Sequence, residues 1–194
     1  GAGWNAQNHA SSTRDPIAAS GLTIEDFDGD GTFELYIPQV AAVQLYVEQA
    51  DGSYADESSL RLPAGLDTAT TAATALDVEP DGDLDLLITR RVGGLTLLIN
   101  DGSGYFTDGT AAAGLDRTAL PAVSATVADM DQDGDMDFFV ITYRHCDPFM
   151  GEDPPNPFDD TTQSLWENQG DGTFLDVSNS MPEHPGINAR LRAA

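Results

Sequence analysis

Short apolar runs, separated by acidic or glycine-bearing turns, recur along the chain. Small or apolar residues fill Ile17 to Glu25, Thr70 to Leu76 and Ala122 to Ala128. In the last of these, Val123, Ala125 and Val127 alternate with small polar residues, the period of a β-strand. Their small side chains predict strands in a crowded place. Each leads through an acidic stretch into a second apolar run: Phe33 to Pro38, Leu84 to Thr89 and Met136 to Thr142. Runs of this length bounded by turn residues predict buried strands, so the unit is a hairpin closed by an acidic turn. No segment carries an apolar stripe at the 3.6-residue period, which predicts little helix.

A second pattern follows each hairpin. It reads Leu97-x-x-Asn100-x-Gly102-x-Gly104-x-Phe106-x-Asp108-x-Thr110, and again Leu165-x-x-Asn168-x-Gly170-x-Gly172-x-Phe174-x-Asp176-x-Ser178. The first copy is degenerate: Leu45, Glu48, Ala50, Gly52, Tyr54, Asp56, Ser58. Asn and Gly suit a turn with positive φ, and the flanks predict a third and a fourth strand. Four-stranded units at a period near 50 residues predict an all-β chain of β-propeller-type blades. One such sheet cannot bury both faces alone; radial stacking does so, with the small-residue strand nearest the axis.

The spacing divides the chain into an N-terminal segment 1–16, repeats at 17–67, 68–118 and 119–180, and a C-terminal segment 181–194. The third repeat holds an inserted loop, 144–163, too rich in proline for helix or central strand. Three blades with spare ends leave four arrangements open. These are a piece of a longer protein, a partial fourth blade built from both ends, a ring shared between chains, and an open array pairing into a fibre.

The acidic turns carry the candidate chemistry. They comprise Asp26, Asp28, Asp30, Thr32 and Glu34; Asp77, Glu79, Asp81, Asp83 and Asp85; and Asp129, Asp131, Asp133, Asp135 and Asp137. Their starts lie 51 and 52 residues apart. Oxygen ligands fall at positions 1, 3, 5 and 9, glycine at 6, and position 7 would offer its backbone carbonyl. Hard, all-oxygen ligation from a flexible turn suits Ca²⁺ over Zn²⁺ or Mg²⁺. An EF-hand is excluded, because position 12 is Ile37, Ile88 or Val140 rather than Glu, and no helices flank the loop. About three calcium sites are expected, the third tightest, since Glu34 and Glu79 replace Asp in the first two. The plainest role for such ions is to hold the fold.

Charge narrows the partners. The formal net charge is −25, and all eight basic residues are Arg. No basic patch exists to displace counterions from nucleic acid, and an anionic membrane surface is disfavoured alike. Fourteen of the 33 acidic residues lie in the three turns, so much of the charge reads as ligand. A single cysteine, Cys146, excludes an intrachain disulfide. No apolar run approaches the ~20 residues of a membrane span, and no leader is visible at Gly1-Ala2-Gly3.

The acidic loops followed by Asn-x-Gly-x-Gly-x-Phe-x-Asp-x-Thr resemble the FG-GAP/VCBS repeats of integrin-α-like β-propellers and many bacterial secreted proteins. Leu165-Trp166-Glu167-Asn168-Gln169-Gly170-Asp171-Gly172-Thr173-Phe174 is closest in kind to cartilage-acidic-protein-like and ASPIC-type repeats. The resemblance covers about residues 17 to 180. It implies a calcium-bound propeller, extracellular or on the cell surface, or else periplasmic. Adhesion, ligand binding or assembly is the implied role, with a protein or carbohydrate ligand, or copies of itself, as partner. The metal positions carry over onto the three loops quoted.

Outside the loops, Tyr143, Arg144, His145 and Trp166 offer a ligand platform, with core packing as the plainer reading. His145-Cys146-Asp147 is the sole cluster of soft ligands, and the remaining histidines are His9 and His184. No Gly-x-Ser-x-Gly, P-loop or dinucleotide fingerprint is present. The expectation is a binding module rather than an enzyme. The alternatives are part of a secreted polysaccharide-active enzyme and a subunit of an extracellular fibre.

Overall fold

A computed structural model describes residues 21–38, 43–66, 69–90, 94–116, 122–142 and 163–180. Segments 1–16 and 181–194, nearly all of the inserted loop, and Tyr143, Arg144, His145 and Cys146 lie outside the described residues.

Twelve strands form three antiparallel meanders of four. The first comprises β1 (Thr23–Glu25), β2 (Glu34–Ile37), β3 (Gln44–Glu48) and β4 (Tyr54–Asp56). The second comprises β5 (Thr70–Leu76), β6 (Asp85–Arg90), β7 (Gly94–Asn100) and β8 (Phe106–Asp108). The third comprises β9 (Ala122–Ala128), β10 (Asp137–Thr142), β11 (Gln163–Asn168) and β12 (Phe174–Asp176). One short helix, α1 (Ser58–Arg61), follows β4. The degenerate first copy of the second pattern still folds as β3 and β4, because Leu45 and Val47 keep the alternation of buried positions.

The small-residue strands do lie innermost. β5 runs against β9 and β1. Alanines let these backbones approach, and threonine hydroxyls stitch them together. Thr23 Oγ1 donates to the Ala73 carbonyl (2.8 Å), Thr71 Oγ1 to Ala122 (2.8 Å) and Thr74 Oγ1 to Ala125 (3.2 Å). Such bonds satisfy carbonyls that water cannot reach.

The middle sheet divides its apolar residues by strand parity. Leu86, Ile88 and Leu98 face the first sheet, packing with Phe27, Tyr36, Leu45 and Phe106. Leu87, Leu95 and Leu97 face the third, packing with Phe138, Val140, Trp166 and Phe174. Burying each such side chain contributes roughly 1.5–3 kcal/mol. The outer sheets expose their far faces: Ile24 is 48% accessible, Ile141 45% and Leu175 52%.

Candidate metal centre

Each meander starts with a strand that runs into its acidic turn, and its third strand returns to the same end. The acidic turns and the Asn/Gly turns therefore meet along one rim of the three sheets.

Within each acidic turn the first aspartate gathers the loop around itself. Gly31, Gly82 and Gly134 donate their N–H groups to Asp26 Oδ2 (3.0 Å), Asp77 Oδ2 (3.0 Å) and Asp129 Oδ2 (3.2 Å). These glycines have φ of +88°, +92° and +106°, which a side chain would resist. The fifth residue then accepts from the seventh: Thr32 N to Asp30 Oδ1 (2.7 Å), Asp83 N to Asp81 (3.1 Å), Asp135 N to Asp133 (3.0 Å).

The ninth-position acid closes each loop from beneath. Glu34, Asp85 and Asp137 are 0%, 2% and 2% exposed. One oxygen accepts the N–H of the loop's second residue: Phe27 to Glu34 (2.8 Å), Val78 to Asp85 (2.9 Å), Met130 to Asp137 (2.8 Å). In the second and third sheets the other oxygen accepts the motif asparagine's N–H, Asn100 to Asp85 (2.8 Å) and Asn168 to Asp137 (2.9 Å). In the first sheet Glu48 stands in that place, and Glu34 Oε1 is buried with no hydrogen-bond partner.

The asparagine also crosses between sheets. Asn100 Nδ2 donates to the Phe27 carbonyl of the first acidic loop (2.7 Å), and Asn168 Nδ2 to the Val78 carbonyl of the second (3.1 Å). Asn100 Oδ1 accepts the N–H groups of Gly102 (3.2 Å) and Gly104 (3.0 Å), fixing its own turn. The asparagine pattern is therefore a rivet that pins each turn to the acidic loop of the preceding sheet.

Two loops bring three carboxylates to one centre. Oxygens of Asp26, Asp28 and Glu34 lie within 4.8 Å of one another, as do those of Asp129, Asp131 and Asp137. The second loop, with the same spacing of acids, has no such convergence. Of the three expected sites, two therefore bring their carboxylates together. The first loop gathers its donors despite Glu34, and the second is the one that departs. The separation arises at position 4. Gly29 and Gln132 stand there with φ of +70° and +69°. Pro80 occupies the second loop, and its ring holds φ near −65°. The chain consequently turns otherwise: Asp81 N–H bonds the Glu79 carbonyl, not the loop's first aspartate. Asp77 Oδ1 is left buried without a partner.

The FG-GAP-like repeat pattern matches residues 26–88 and 77–140, each match running from one acidic loop through the next hairpin. The chain belongs to the FG-GAP-like repeat family. No curated protein matches the chain. Among solved structures, it is similar to an Agrocybe aegerita lectin described as recognising non-reducing terminal N-acetylglucosamine. The identity is 19% and the TM-score 0.43, over 79% of this chain and 36% of that one. The chain thus spans little more than a third of that lectin's length.

Burial and mutual repulsion act on the acids of these FG-GAP loops. Burial pushes the Asp85 carboxyl up to about 6, against the two N–H bonds it accepts. Burial also raises Glu34, helped by the charges of Asp28 and Asp26. Asp131 is raised by desolvation and by neighbouring Asp133 and Asp137. Carboxylates held ionised here repel one another unless a cation sits among them. The orphaned oxygen of Glu34, in a loop whose carboxylates converge, fits the same need, whereas that of Asp77 lies in the loop where they do not.

Of the remaining sequence candidates, Asp83 and Asp135 turn their side chains toward Gly102 and Gly170, where any Cβ would collide. Thr32 places its hydroxyl on Asp30 Oδ1 (2.7 Å). Trp166 is packed rather than presented. It is 5% exposed and stacks on Phe138, with centroids 6.0 Å apart. Its Nε1–H donates to Ser164 Oγ (3.0 Å), so the core reading holds for it. Two elements escaped the sequence reading. One is the crossing role of Asn100 and Asn168, whose only sequence signal was recurrence. The other is Arg61, which nothing in the repeat pattern marks.

Proposed function

We propose that the chain is a calcium-binding, extracellular propeller module that serves adhesion, ligand binding or assembly. The observation that carries the calcium reading is Glu34 Oε1. This acceptor is fully buried, has no partner, and belongs to a cluster with Asp26 and Asp28. Burying a polar atom without a partner costs about 1–3 kcal/mol, which an ion bound there would remove. Oxygen-only ligation on a turn that can adjust its radius favours Ca²⁺ over the smaller, stricter Mg²⁺.

Affinity bears on location. At ~1 mM free Ca²⁺ and a dissociation constant of ~10 µM, each site contributes roughly 2.7 kcal/mol. Cytosolic calcium would leave such sites empty, so an extracellular, surface or periplasmic setting suits them. Binding is preferred to catalysis because the carboxylates are committed to backbone N–H groups and to the ions. Assembly is favoured by the apolar outer faces at Ile24, Ile141 and Leu175. Among the described residues no helix is long and apolar enough to cross a membrane.

Calorimetric melting in calcium and in chelator tests the reading. The melting temperature is expected to fall in chelator, and Glu34→Gln with Asp131→Asn to abolish most of that fall. An unchanged melting temperature would overturn it. The particle mass in calcium buffer separates a single chain from a ring or fibre.

A further inference from the structure

Arg61, at the end of α1, occupies the seam between the first two sheets. Its Nη1 lies 3.0 Å from Asp28 Oδ2 and 3.2 Å from the Ser103 carbonyl of the neighbouring sheet's turn. Its Nε donates to Glu57 Oε2 (2.7 Å), and its guanidinium carbon stands 5.2 Å above the Tyr105 ring. The Arg61 and Asp28 side chains are only 11% and 15% exposed. Gly104 creates the slot, since a Cβ there would collide with Arg61 Nη1.

Asp28 is also a member of the first carboxylate cluster, into which the partnerless Glu34 Oε1 is buried. The first loop is thus served by a protein cation. The third is not: among the described residues, no ion pair reaches Asp129, Asp131 or Asp137. Across the second seam, the atoms nearest to where a Cβ on Gly172 would stand belong to Glu79, with Oε1 at 3.1 Å.

Resting on the calcium reading above, we propose that Arg61 is the resident counter-charge of the first loop, holding Asp28 in the metal-free chain and competing with Ca²⁺ for it. A calcium ion entering the loop has two courses. It takes the Asp28 carboxylate from a charge-assisted hydrogen bond, or it binds beside a full positive charge in a partly water-excluded seam. Either course weakens the first site relative to the third. The same contact makes occupancy of the first loop sensitive to the seam, because Arg61 also grips Ser103 and Tyr105. In exchange, the first seam keeps a brace when metal is absent.

Calcium titration calorimetry tests this in an Asp131→Asn background, with Asp26→Asn added as the control that removes the first site. Arg61→Gln is expected to bind calcium roughly tenfold more tightly than the Arg61 parent. It should also melt lower in chelator, with the gap closing at saturating calcium. Arg61→Lys, which keeps the charge, should stay near the parent. Unchanged or weaker affinity in Arg61→Gln would overturn the proposal. So would an equal loss of melting temperature with and without calcium, which marks a structural brace alone. If parent and variant both take no calcium that Asp26→Asn abolishes, the calcium reading itself fails and the proposal falls with it.

Discussion

The loops at 77–85 and 129–137 carry acids at the same five positions, yet only the second of them gathers three carboxylates. Their closing halves are alike: Asp85 and Asp137 each accept two backbone N–H groups from the same places. Their opening halves differ by Pro80 against Gln132 and by Glu79 against Asp131. Gln132 takes the left-handed backbone that wraps the chain around Asp129, donating its N–H to Asp129 Oδ1 (2.7 Å). Proline has neither that conformation nor that N–H. The spacing of acids is therefore necessary but not sufficient; a spacer residue decides whether they converge.

The largest expected effect separates the loops by metal. Chelating calcium should cost about 5 kcal/mol, the sum for two sites near 10 µM in ~1 mM calcium. Asp131→Asn should remove more than half of that dependence, because the third site is the tighter, and Glu79→Gln little, measured by urea unfolding with and without chelator. Equal effects would erase the distinction.

Next come the shared halves. Asp85→Ala and Asp137→Ala should each cost roughly 3 kcal/mol or more, because each leaves two buried N–H groups unpaired. Asp85→Ala should do so alike in calcium and in chelator. A small loss there would mean that the closing carboxylate serves only metal.

A pH effect of on the order of 2 kcal/mol follows from Asp85. Burial raises its folded-state pKa to about 6, while the unfolded chain releases that proton near pH 4. Between these values the folded state holds more protons, so the metal-free chain should lose stability as pH rises through the window. Denaturant titrations in chelator from pH 4.5 to 7 should show a slope that Asp85→Asn flattens.

The smallest effect is the most pointed. Pro80→Gly frees position 4 for positive φ and should cost about 0.4–1 kcal/mol in chelator, through the unfolded chain's greater freedom. In calcium it should gain an additional bound ion. If Glu79→Asp gains that ion instead, the longer side chain and not the proline keeps the second loop open.

Much of this architecture was legible in the sequence. The strands at Thr70–Leu76 and Ala122–Ala128 fell where alternation and small residues placed them, and low helix content followed from the missing 3.6-residue stripe. The innermost position of those strands followed from side-chain size. The acid spacing marked the loops, and Gly31, Gly82 and Gly134 marked the reversals. Two things were not legible. The backbone effect of Pro80 is invisible when only the acids are aligned. The asparagine rivets and the grip of Arg61 on Ser103 depend on which turn of one sheet meets which loop of the next, across 73, 90 and 42 residues. Periodicity within a repeat carries no information about that meeting. Trp166 shows the converse: core packing was its plainer reading, and it is stacked against Phe138.

Equilibrium dialysis against ~1 mM calcium, counting ions per chain, tests the central claim most directly. Two ions are predicted, one lost in Asp26→Asn and the other in Asp131→Asn. No bound calcium, or a count that neither substitution lowers, would contradict the account.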